Sequence, residues 1–383
     1  MQTIYLDNGA TSWPKAPTVA PAVSAFIRDH AVNISRGGYD RAYETAGEIQ
    51  ACRDKIGNMF GAGDSRNCTF TLNVTHALNT LIFGLFTPDD HVVVSGMEHN
   101  AVMRPLTQRG IPYSIIPCTP EGFIQIEQIP ALVRPNTKAI IMTAASNVSG
   151  AIQPVREVAS LAKASGLLMI IDAAQLPLSL NLSLENDNLD AIAFTGHKSL
   201  LGPQGVGGLV LSEQLAHRMT PWATGGTGSK SDLLDMPDFL PDKFEAGTQN
   251  LPGIIGLSAA LDYLQENRNS IIAHEEKLTG MLLDGLLTDE RMHVIGPKDL
   301  RNRTSVISVD FPGLDNARVA DALFVQAGIE TRVGLHCAPI AHRTLGTFPE
   351  GTLRFSHGYA TTEEEIDRTL TACTRVLDSM HIR

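Results

Sequence analysis

The sequence predicts an α/β protein whose mostly parallel central sheet is covered by helices, and three observations carry that expectation. Short apolar runs of strand type recur through the first half of the chain, at Cys68–Leu72, His91–Ser95, Ala139–Thr143, Leu167–Ile171 and Ala191–Phe194. Stretches with helical spacing separate them. Polar residues able to do chemistry stand directly after the runs, where the carboxyl ends of parallel strands gather ligands.

Bulk properties narrow the field. At 383 residues the chain is long enough for two hydrophobic cores. A formal net charge of −11 disfavours nucleic acid and anionic membrane as partners. The opening MQTIYLDNGATSWP lacks a basic stretch followed by an apolar one, and no later apolar run approaches membrane-spanning length, so a cytoplasmic protein is expected. The five cysteines (Cys52, Cys68, Cys118, Cys337, Cys373) are an odd number, widely spread and without a CxxC pair, which points to neither a disulfide framework nor a zinc site.

In order, Tyr5–Thr11 is a short extended piece running into a turn, Pro21–Asp29 looks helical, and Asn33–Tyr39 is a glycine-containing loop with Arg36. Tyr43–Phe60 has helical spacing, with Ala46, Ile49, Ile56 and Phe60 as its buried stripe. Strand Cys68–Leu72 leads through Asn73-Val74-Thr75-His76 into a helix reaching Phe86. Free N–H groups there could cradle an anion, with Thr75 as cap; an ordinary N-cap explains the same residues. The next strands deliver His99, then Ser146-Asn147. Pro154–Ser165 is a helix with proline in its first turn and Gly166 past its end. Thr220–Lys243 loses periodicity around the cluster Gly225 to Ser229. Beyond it, Ile254–Asn267, Ile271–Leu287, Asn316–Ala327 and Glu363–Asp378 are expected helices; Thr304–Phe311, Ile329–Val333 and Thr352–Ser356 are expected strands.

The most informative stretch is DAIAFTGHKSLLGPQGVGGLV, Asp190–Val210, read as strand, loop, strand. Most lysines are solvated, but Lys198 at the mouth of a buried strand is a candidate Schiff-base nucleophile, because burial lowers an amine's pKa. The upstream strand brings Asp172 to the same edge of the sheet. A lysine for an aldehyde and an aspartate for a pyridinium nitrogen are what pyridoxal phosphate enzymes pair. RVGLHCAP, from Arg332 to Pro339, is the second such stretch. A lone cysteine is by default a buried hydrophobe, but Arg332, His336, His342 and Arg343 are expected to make this loop electropositive and favour a Cys337 thiolate. His336, Cys337 and His342 lack a usual metal-ligand spacing, and no metal is expected.

The runs IDAAQ (171–175), FTGHKSLLGPQG (194–205), FEAGTQN (244–250) and RVGLHCAP (332–339) resemble the class V aminotransferase family, in its cysteine desulfurase and selenocysteine lyase branch. The likeness runs in order from Tyr5 to about Ile366. It implies fold type I of the pyridoxal-phosphate-dependent transferases, with a segment 1–16 associated with the small domain, a large domain 17–253 and a small α/β domain 254–383. By the same likeness Lys198 holds the cofactor and Asp172 meets its ring nitrogen. His99 stacks on the ring as a further catalytic group, and Asn147 approaches the phenolic oxygen and the substrate. Thr75, His76, Gln175, Thr195 and His197 complete the cofactor site, with Thr248 entering from the neighbouring subunit of a homodimer. Cys337 is the implied nucleophile, Arg354 holds the substrate carboxylate, and Arg332 is a second contact. The implied reaction releases sulfur from L-cysteine through a Cys337 persulfide to give L-alanine. Selenocysteine cleavage and transamination are the alternatives. A sulfur-acceptor protein is a possible partner, though the loop around Gly225–Lys243 departs from the better-known desulfurases.

Overall fold

The computed structural model describes residues 3–34 and 37–381, so Arg36 of the expected loop lies outside the described residues. Among these, Cys68–Thr71, Gly207–Leu211, Ala191–Thr195, Leu168–Asp172, Thr137–Thr143, His91–Ser95 and Tyr113–Ile116 form a seven-stranded sheet in that spatial order. Gly207–Leu211 runs antiparallel to both neighbours and every other pair is parallel. The expected mostly parallel sheet is what forms. Alternate residues of its strands enter different cores: Ile140 and Ile171 pack into one hydrophobic cluster, Ile141 and Ile170 into another. Cover on both faces explains why these strands read as unbroken apolar runs.

Two elements of this region escape the sequence pattern. Tyr113–Ile116 is an edge strand with Tyr113 and Ile115 exposed, and helix Asn100–Arg109 carries Pro105 inside it. Further on, the two expected helices Ile254–Asn267 and Ile271–Leu287 are one helix, Leu251–Leu287. The polar Arg268-Asn269-Ser270 reads as a break but contains neither glycine nor proline. Arg268 instead donates from Nε to the Leu178 carbonyl at 3.0 Å. Along this helix Leu251 to Ile271 pack with the first core and Leu278 to Leu286 with a third, so the expected boundary at 253/254 falls inside a continuous element.

The third core lies under a four-stranded antiparallel sheet ordered Arg332–Gly334, Thr352–Ser356, Val306–Asp310, His293–Ile295. The expected strand Ile329–Val333 is split at Thr331, because Ile329–Glu330 instead pairs in parallel with Ile4–Tyr5. Ile4 and Leu6 are buried in that same core. The start of the chain is thereby fastened to its last third, and from there it crosses to the large sheet.

The segment after the irregular 220–243 stretch is pinned by a buried ion pair. Arg53 on helix Asp40–Met59 meets Glu245 at 2.7 Å, with side chains only 5% and 9% exposed, and Glu245 also accepts the Phe70 N–H at 2.7 Å. Removing one partner strands the other charge out of water. Glu245→Ala should therefore cost about 3–5 kcal/mol in chemical denaturation; a loss under about 1 kcal/mol, the usual worth of a surface pair, would show the pair to be dispensable.

Candidate active site

Asp172 is the last residue of strand Leu168–Asp172 and stands opposite Ala193 of its parallel neighbour, whose last residue is Thr195 two positions on, so both reach the same edge of the sheet. Asp172 is buried; its Oδ1 accepts the Ala174 N–H at 2.9 Å. Burial raises its pKa, while that hydrogen bond and the charge of Lys198 pull it back. The Thr195 hydroxyl is buried with no hydrogen-bond partner. Three residues on, Lys198 lies deep in the protein yet keeps part of its surface open, as the wall of a crevice does. Burial brings its amine down to about 8, with Asp172 opposing and Arg354 and Arg332 adding to the fall. Lysine and aspartate thus sense each other's charge.

His99 is the N-cap of helix Asn100–Arg109, its Nδ1 accepting the Ala101 N–H at 3.0 Å. Burial first, then Lys198 and Arg104, lower its pKa to about 4. The ring is therefore neutral with its proton on Nε2. It lines a crevice of about 560 Å³ together with Thr75, Arg104 and Cys337. Helix Val74–Leu85 begins beside it, but its cap is Asn73, whose Oδ1 accepts the His76 N–H at 2.9 Å. Thr75, expected as cap, is left exposed at the crevice. The His76 ring stands edge-on to Trp222 at 5.2 Å.

Cys337 sits on a tight turn rather than a trailing loop. His336 and Cys337 are consecutive non-glycine residues with positive φ, 46° and 57°. Such conformations persist only where the surroundings impose them. Here Asn147 Nδ2 donates to the His336 carbonyl at 2.7 Å and the Asn100 N–H to the Cys337 carbonyl at 2.8 Å. The thiol faces solvent, whereas Cys52, Cys68 and Cys373 are buried. Of the four groups expected to make this loop electropositive, the two histidines add no charge. Burial lowers His336 to about 2 and His342 to about 4, so both rings are neutral, and Arg343 is drawn over the Phe348 ring at 4.6 Å.

Arg354, in the middle of strand Thr352–Ser356, is only 2% exposed. Its Nη1 donates to the Asn147 carbonyl at 3.1 Å and its Nη2 to Asp7 Oδ1 at 2.8 Å. Arg332, more exposed, lies 3.9 Å from the other Asp7 oxygen. The N-terminal segment reaches two further site residues through three contacts. Gln175 Nε2 donates to the Gly9 carbonyl at 2.8 Å, His197 Nδ1 lies 3.0 Å from Thr11 Oγ1, and Lys15 Nζ donates to the His197 carbonyl at 2.9 Å. Asp7, Thr11 and Lys15 were not legible as site residues, because nothing in their local pattern marks them.

Two residues remain. Thr248 is exposed and has no hydrogen bond to these groups among the described residues, so within one chain it is not brought to the site. Glu98, which sequence reasoning passed over, is fully buried. Its Oε1 accepts from the Thr143 N–H at 2.8 Å and from the Ser95 hydroxyl, and its Oε2 has no partner. A glutamate inside the apolar stretch between His91 and Val102 was the available signal.

A mostly parallel sheet with a lysine and an aspartate at its carboxyl edge, joined to a smaller antiparallel sheet, is fold type I of the pyridoxal-phosphate-dependent transferases. Residues 4–369 match the family Aminotransferase class-V, and the chain belongs to that family. It is 30% identical to a probable cysteine desulfurase of Vibrio cholerae, over 98% of this chain and 94% of that one. It is 32% identical to another from Pseudomonas putida, covering 98% and 94%. Among solved structures, the apo cysteine desulfurase of Thermococcus onnurineus NA1 superposes with a TM-score of 0.90 at 28% identity, covering 98% of this chain and 95% of that one. The Escherichia coli cysteine desulfurase CsdA, in its S-sulfonic acid form, gives 0.86 at 27%, with the same coverage.

Glu98 sets a stability trend with pH. Burial lifts its carboxyl from 4.5 to about 8. Between those values the fold holds a proton the unfolded chain has released, so Glu98 makes stability fall as pH rises across that window. Glu98→Gln should flatten the fall by up to about 1.4 kcal/mol per pH unit, measured by chemical denaturation at several pH values. Parallel curves for variant and wild type would remove Glu98 as its source.

Proposed function

We propose that this protein is a pyridoxal-phosphate-dependent cysteine desulfurase, working in the cytoplasm as a homodimer. The observation that carries the proposal is the exposed thiol of Cys337, held on a clamped turn in the same crevice as His99. A transaminase would have no use for that thiol.

The residues fit the cofactor. The unpartnered Thr195 hydroxyl, the first turn of helix Val74–Leu85 with Thr75 and His76, and His197 offer donors for a phosphate. Thr248 of the partner subunit would join them. His99 offers a neutral ring face, Asp172 a carboxylate for the ring nitrogen, Gln175 and Asn147 amides for the phenolic oxygen, and Lys198 an amine for the aldehyde. The bound cofactor supplies an electron sink for the substrate's Cα.

The chain's own residues do the rest. Arg354, with Arg332 as the outer contact, receives the substrate carboxylate in a planar fork. Lys198, lowered to about 8, is in part a free base near neutrality and can take the Cα proton. Asp172 would hold the ring nitrogen of the bound cofactor in its protonated form. Cys337, as thiolate, attacks the substrate sulfur; the new S–S bond forms as the Cβ–S bond breaks, and that electron pair returns to the substrate carbon. One L-cysteine and one enzyme thiol become L-alanine and a Cys337 persulfide, which a sulfur acceptor then clears.

Cys337→Ala should keep the yellow colour of the loaded enzyme and lose alanine and sulfide production from cysteine; full desulfurase activity would discard the assignment. Persistent selenocysteine cleavage by the same variant would move the assignment to a lyase. Loading depends on unprotonated Lys198, so the rate at which apoprotein takes up pyridoxal phosphate should rise with pH below about 8 and level off above it. A flat profile from pH 6 to 9 would contradict the lysine's role.

A further inference from the structure

The only carboxylate on Arg354 among the described residues comes from the far end of the chain. Asp7 is not a loose surface acid meeting a convenient base. Its backbone forms a parallel bridge with Ser356, two residues from Arg354, and its carbonyl accepts from the Ala10 N–H at 3.0 Å and the Tyr5 hydroxyl at 3.1 Å. The carboxylate is therefore held in place from its own side. On the other side the Asn147 carbonyl takes a hydrogen from Nη1, so the guanidinium is gripped at two of its three nitrogens. Gly9 closes the arrangement. A methyl group there would lie 3.2 Å from Arg354 Cζ and Nη2, so the backbone of the N-terminal segment packs flush against the guanidinium.

We propose that Asp7 is a positioning residue for substrate recognition: it fixes the plane of the Arg354 guanidinium so that the fork is already aimed when an amino-acid carboxylate arrives. The inference rests on the assignment of Arg354 to that carboxylate. Its physical basis is pre-organisation. An arginine side chain has several rotatable bonds, and a fork oriented beforehand gives up less freedom on binding. A buried guanidinium also needs a counter-charge while the site is empty, and Asp7 supplies it without covering the whole donor edge.

The test uses two probes differing only in the carboxylate, S-methyl-L-cysteine and 2-(methylthio)ethylamine. Neither carries a free thiol, and both are titrated into the loaded enzyme by its absorbance change to give Kd. The ratio of the two constants reports carboxylate recognition alone. In Asp7→Asn that ratio should drop at least about fivefold, as expected for loss of an aimed charged contact, while Kd for the amine stays within about twofold of wild type. A merely structural role would weaken both probes alike and leave the ratio intact, which would overturn the proposal. Gly9→Ala, which nudges the guanidinium without touching the Asp7 charge, should lower the ratio in the same direction, and it decides the matter should Asp7→Asn fail to load cofactor. Arg354→Lys separates the two assignments. Collapse there with no change in Asp7→Asn and Gly9→Ala sinks only the positioning role; an unchanged ratio in Arg354→Lys sinks the carboxylate assignment itself.

Discussion

Two opposite charges placed at one edge of the sheet, Lys198 and Asp172, are the constraint that the rest of the molecule serves. Neither charge is comfortable alone: burial pushes the aspartate up and the lysine down, and each partly relieves the other. Asp172 ends one strand and Lys198 follows the end of its parallel neighbour, so their placement rests on the register of that pair, and that register in turn requires helices on both faces of the sheet. The cores on either side of Ile140 and Ile141 exist so that polar groups can stand at one edge.

The central sheet was legible because its strands are buried on both sides and therefore advertise themselves as apolar runs. The chemistry at their ends was legible for the same reason, since Asp172 and Thr195 directly terminate those runs. Edges and ends were not: Tyr113–Ile116 has one open side, and His293–Ile295 is too short to carry a pattern. Long-range pairing was the deeper obstacle. The grip of Asp7 on Arg354 joins residues 347 positions apart, and no local rule foretells it. Charge was misjudged around Cys337, where the sequence counts His336 and His342 as basic and burial makes both neutral.

The nucleophile's turn shows how cooperative the site is. Asn147 donates from its amide to the His336 carbonyl and accepts on its own carbonyl from Arg354. One residue at the end of the large sheet thereby registers the position of the thiol turn and of the carboxylate fork. The sequence offered Asn147 as a cofactor contact; the folded chain adds this bracing of two elements from the smaller sheet's side.

Helix Leu251–Leu287 has a mechanical corollary. At about 1.5 Å per residue it is a shaft of roughly 55 Å, each half embedded in a different core. Between Gly256 and Gly280 it contains no glycine or proline at which to kink. A clamshell motion of the two sheets would have to flex this beam or break its ladder of hydrogen bonds.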